Sequence, residues 1–86
     1  MKILFDPAKR ETNLVKHSGL DFADLDEAFF ASSMVISAKA NRYMAVGQFG
    51  EDIIAVVFAV LGSEAISVIS MRRASRKERK QFGQDQ

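Results

Sequence analysis

The sequence predicts an α+β fold of two layers. Two N-terminal helices pack on one face of an antiparallel β-sheet, and a short helix closes the chain. Three observations predict it. Helix caps and a 3.6-residue apolar period occupy the first third of the chain, and β-branched alternating runs occupy residues 34–71. A capping-box tetrapeptide follows them. The chain of 86 residues holds a single domain, expected over residues 1–83, with 84–86 as a frayed tail.

Lys2 to Phe5 reads as a short strand. Asp6-Pro7 then starts a helix, with Asp6 as N-cap and Pro7 at the first helical position, where its missing N–H costs nothing. This helix runs to about His17. It ends at Ser18-Gly19, where glycine supplies the left-handed position. A second helix is expected from Asp21, with Phe22, Leu25 and Phe29 on one apolar stripe. Met34 to Ser37 and Asn41 to Phe49 read as strands, and Gly50-Glu51 as a two-residue hairpin loop. Asp52 to Leu61 is rich in Val and Ile and reads as a central strand buried on both faces. Ala65 to Met71 is the last strand. Ser75 and Glu78 form the capping box of the final helix, which Phe82 pins to the sheet. Arg76, Arg79 and Lys80 share its other face.

Composition excludes several chemistries. There is no Cys, so no thiol nucleophile, disulfide scaffold or thiolate metal site is available. His17 is the single His, which excludes a His-rich metal site. The longest apolar run, Ile53 to Leu61, is too short for a spanning helix, which needs about 20 residues. No secretory signal is evident, since Asp6-Pro7 breaks the opening apolar run. A cytoplasmic protein is expected. Net charge is only +1, yet Arg72 to Lys80 carries six positives against one negative, and Asp21 to Glu27 carries four negatives. The plain reading of each run is a solvated helix face. The sharper reading of the first is a phosphate-binding strip.

Lys, Arg and one His suit RNA cleavage without a metal or other cofactor. In that reaction a 2′-OH attacks the adjacent phosphorus. A proton acceptor, a proton donor and cations for the phosphorane are required. His17 has an imidazole suited to either proton role, although a surface histidine at a helix end explains it equally. Arg stays charged and meets two phosphate oxygens with its planar fork. Arg72 and Arg73 are strand neighbours, so at most one of them faces a given site. Arg42 opens a strand and reads equally as an edge charge. Tyr43 is the only Tyr, offering base stacking or core packing.

The chain resembles the BrnT family of bacterial type II toxins, small RelE-like ribonucleases. Three stretches carry the resemblance. The first joins Phe5-Asp6-Pro7-Ala8-Lys9 to Asn13-Leu14-Val15-Lys16-His17 and Gly19-Leu20-Asp21-Phe22. The second is Arg42 with Gly47 ahead of an apolar strand. The third is Val68-Ile69-Ser70-Met71-Arg72-Arg73-Ala74-Ser75 with Glu78-Arg79. The resemblance implies a RelE-like fold and an RNA-cleaving toxin that blocks translation. It also implies a BrnA-type ribbon-helix-helix antitoxin, through which alone operator DNA is reached. Lys16, His17, Arg42, Arg72, Arg73, Glu78 and Arg79 match the family motif by position.

Two functional expectations result. In the first, the protein is a metal-independent endoribonuclease. His17, Arg42 and one of the Arg72/Arg73 pair then carry the chemistry, and Lys16, Arg76, Arg79 and Lys80 hold the RNA backbone. In the second, it is an attenuated or non-catalytic homologue that binds an antitoxin or nucleic acid. Phe58-Ala59 stand where the family commonly has Tyr-Thr, and Ser67 stands where it has a basic residue, which removes polar groups from the sheet.

Overall fold

From Met34 to Arg73 the chain runs back and forth as four consecutive strands, because β-branched runs there are separated by tight turns. The structure, a computed structural model, describes residues 1–83. Its elements are β1 (Lys2–Phe5), α1 (Pro7–Lys16), a 3₁₀ turn (Phe22–Asp24) and α2 (Glu27–Ser32). They continue with β2 (Met34–Ser37), β3 (Arg42–Phe49), β4 (Asp52–Leu61), β5 (Ala65–Arg73) and α3 (Arg76–Phe82). The sheet order is β1-β5-β4-β3-β2. The expected tail at 84–86 lies outside the described residues.

The meander β2 to β5 is antiparallel throughout, as expected. The sheet as a whole is mixed, because β1 joins β5 in parallel, with Lys2 beside Ala65 and Phe5 beside Val68. The second helix also differs from expectation. Phe22, Leu25 and Phe29 are all buried on one side, yet the helix is broken into a 3₁₀ turn and α2. The cause is competition from side chains. Asp21 accepts from Ala23 N–H and Asp26 accepts from Phe29 N–H, so the segment has two starts.

One sheet face carries Ala45, Ile54, Val56, Phe58 and Met71 against Leu20, Phe22, Leu25 and Phe29. Gly47 lies where α2 crosses this face. A Cβ there would meet Ser33 Cβ at 3.0 Å and Phe29 Cε1 at 3.1 Å, so any larger residue requires α2 to give way. The reverse face is covered in part by α3. Phe82 packs there with Val46, Ala55 and Ala74, so it pins the last helix to the sheet as expected.

α1 has almost no apolar anchor, and Asn13 is its only buried residue. Pairing with β1 stops at Val68, so beyond that point β5 has no strand on this edge. Asn13 fills the gap. Its Nδ2 donates to Met71 O (2.9 Å) and Leu20 O (3.1 Å), and its Oδ1 accepts from Met71 N (3.0 Å). Backbone groups that would be orphaned are thus satisfied by a helix side chain.

Candidate functional site

Residues opposite one another in a ladder share a face. Arg72 lies opposite Ala55 and Ser70 opposite Val57, while Arg42 lies opposite Ala59. These three therefore sit on the reverse face, the side on which α3 packs. Arg73 lies opposite Ile54, on the helix-covered face, and its guanidinium is 3.8 Å from the Asp52 carboxylate. Alternation has separated the two arginines, and of the pair Arg72 shares a face with Ser70. Arg42 is four ladder positions from Arg72 along β4, about 13 Å at the rise of a strand.

Lys16 ends α1 and His17 is its C-cap, half-buried. Both line a cleft of about 330 Å³ between α1 and β5, whose far wall is Ile69 and Ser70. A shift in the β4–β5 register leaves Ile69 without a ladder partner. Such a bulge re-aims side chains beside it. Ser70 belongs to both regions: it lines the cleft, and it stands two residues from Arg72 on the same face, about 7 Å along the strand.

The cations fall into two groups. Arg72 is held by Glu78, Nη1 to Oε1 at 2.7 Å and Nη2 to Oε2 at 2.9 Å. Glu78 Oε1 also accepts from Ser75 N–H at 2.8 Å, and Ser75 Oγ accepts from Glu78 N–H, so the expected capping box is present and joined to β5. The hydrogen bonds from Arg72 hold the Glu78 carboxyl down at about 2, with Ser75 N–H adding to them against burial. Arg10 is held by Asp21 through two bonds of 2.7 Å, and the same bonds lower Asp21 to about 2. Arg79 donates to Ala74 O at 3.1 Å, so it turns back onto the strand end rather than standing wholly outward with Arg76 and Lys80. By contrast Lys9, Lys16, His17, Arg42 and Lys80 form no ion pair among the described residues.

Comparison with known proteins decides the family. The profile described as "Ribonuclease toxin, BrnT, of type II toxin-antitoxin system" matches residues 5–78. The chain belongs to the BrnT family. The crystal structure of the Brucella abortus ribonuclease toxin BrnT, at 1.1 Å resolution, is 58% identical in sequence, with a TM-score of 0.82. The match covers 88% of this chain and 99% of that one. A search of curated proteins finds no match. As a BrnT ribonuclease toxin the protein is an RNA-cleaving enzyme with an RNA substrate and a cognate antitoxin.

For a BrnT-family toxin the sorting of cations matters, because a carboxylate partner offsets part of a cation's attraction for phosphate while fixing where it points. Sequence reasoning missed Arg10 and Asn13, which hold α1, and Thr12 and Ser70, which line the cleft. Only the placement of Asn13 mid-helix, where it is a poor helix former, was a signal. Tyr43 stacks on Phe58 at 5.8 Å on the covered face, so core packing is its role. Among the described residues no helix is long and apolar enough to cross a membrane.

Proposed function

We propose that the protein is a metal-independent endoribonuclease that inhibits translation in the cytoplasm and is neutralised by a BrnA-type ribbon-helix-helix antitoxin. The carrying observation is Ser70, which links the Lys16–His17 cleft to the face bearing Arg72 and α3. An RNA strand crossing that link meets His17 on one side and a cationic helix on the other. His17 exchanges a proton with the 2′-OH or with the departing 5′-oxygen. Arg72 supplies positive charge beside the phosphorane, and its orientation is fixed by Glu78. Arg42 engages the strand further along β3, while Lys16, Arg76, Arg79 and Lys80 hold backbone phosphates. Arg73, on the opposite face, lies beside Asp52 and takes no part.

The test is incubation of purified protein with RNA in EDTA. Cut ends carrying 2′,3′-cyclic phosphate are expected, and His17→Ala lowers the rate by about 10²–10⁴. RNA left intact overturns the proposal. The second reading, a non-catalytic homologue, draws on Arg42, whose ladder neighbours Ala59 and Ser67 offer it small side chains only. Tight RNA or antitoxin binding without cutting selects that reading.

A further inference from the structure

We infer that the cleft between α1 and β5 is a subsite for one everted ribonucleotide of the RNA, with the base inside and the phosphate on its rim. The inference deepens the ribonuclease reading and rests on it for the source of the nucleotide. Its volume of about 330 Å³ lies at the small end of ligand pockets, which span about 300–1,000 Å³. That suits a single nucleoside and not a longer stretch of chain.

The lining is chemically matched to such an occupant. Lys9, Lys16 and His17 stand on the α1 side, and among the described residues no acidic one lines the cleft. None of the three forms an ion pair among the described residues, so a phosphate meets uncommitted charge. The opposite wall is apolar at Ile69, the residue that the bulge releases from the ladder. A flat base packs against such a wall without needing an aromatic partner. Hydrogen-bonding capacity is open at the edges. Ser70 Oγ has no partner among the described residues. Thr12 Oγ1 donates to Ala8 O at 3.1 Å, which leaves it free to accept. Single-stranded RNA is read in this manner, by splaying a base out and engaging its edge. The floor is rigid because Asn13 is tied to Met71 on both backbone atoms. The subsite therefore exists before RNA arrives.

The experiment is amide NMR of the full chain with adenosine 3′-monophosphate, with uridine 3′-monophosphate, and with inorganic phosphate. Shifts centred on Thr12, His17, Ile69 and Ser70, larger for at least one nucleotide than for phosphate, are expected. The exposed Thr12→Trp, which fills the cleft, weakens that binding by at least about tenfold. Equal shifts with phosphate alone, shifts confined to α3, or no shifts at millimolar nucleotide overturn the subsite. Cleavage assays separate the two claims. RNA cut by the parent and by folded Thr12→Trp at the same sites with the same KM overturns the subsite and leaves the ribonuclease standing. Nucleotide binding in the cleft without RNA cleavage supports the subsite and removes the ribonuclease.

Discussion

Replacing Glu78 by Gln tests how the basic helix is held. The substitution keeps an oxygen that accepts from Ser75 N–H and removes the charge that holds Arg72. The Glu78 carboxyl falls from its ordinary 4.5 to about 2. At about 1.4 kcal/mol per unit this bounds the stabilisation at about 3.5 kcal/mol. The Arg72 side chain is 35% exposed, so solvent screens the pair and about 2 kcal/mol is expected. In a domain of this size that corresponds to a melting point lower by about 8–16 °C. The pH dependence carries a definite sign. The folded value lies below the unfolded one, so the stabilisation is complete above pH 4.5 and fades as pH falls towards about 2. Urea unfolding of the parent and Glu78→Gln from neutral pH downward measures this directly, and Arg72→Met completes a double-mutant cycle. A cost below about 0.5 kcal/mol at neutral pH, the level of an ordinary surface substitution, refutes the reasoning. So does a cost that persists undiminished in acid, or strict additivity with Arg72→Met.

Three further outcomes follow from the same geometry. Asn13→Ala orphans the Met71 N–H and two carbonyls, so denaturant unfolding loses about 3 kcal/mol, and RNA cleavage falls because α1 is no longer tied to β5. Gly47→Ala forces a Cβ against Ser33 and Phe29, which costs about 1–3 kcal/mol in a thermal melt; an unchanged melting point would show that α2 shifts freely. If RNA touches about four cations, log affinity falls with log salt at a slope near −3. Lys80→Ala then lowers that slope by about 1 in filter binding, with no change in sequence preference.

The strands were legible because their signals are local. Val-Ile runs, the Gly50-Glu51 turn and the Ser75–Glu78 capping box each need only neighbouring residues. The parallel pairing of β1 was not legible, since nothing in Lys2–Phe5 names the strand it joins. The break at Leu25 was missed because the apolar stripe continues through it while Asp26 restarts the helix. At the site, alternation already separated Arg72 from Arg73, but which arginine shared the face of α3 depended on the bulge at Ile69. Asn13 and Met71 are 58 residues apart, and Arg10 and Asp21 are 11 apart. Pairings of that range leave no periodic trace, so the tethers stayed hidden while the cations they leave uncommitted were visible.

The two groups of cations divide the work of the molecule. No residue of α3 is buried and α1 buries only Asn13, so apolar packing alone fastens neither helix. Charge pairs add to the Asn13 hydrogen bonds and the Phe82 contact: Arg10 with Asp21 for α1, and Arg72 with Glu78 for α3. The helices so fastened are the ones that present the uncommitted groups Lys9, Lys16, His17 and Lys80. The sheet, by contrast, is held by an apolar core that includes Ile54, Val56 and Met71, all fully buried. Stability is therefore expected to be graded, with the sheet above the two helices that carry the uncommitted cations. Hydrogen exchange should open α1 and α3 before β3 to β5, and acid should widen the gap, because both carboxylates in the pairs lose their charge as pH falls towards about 2.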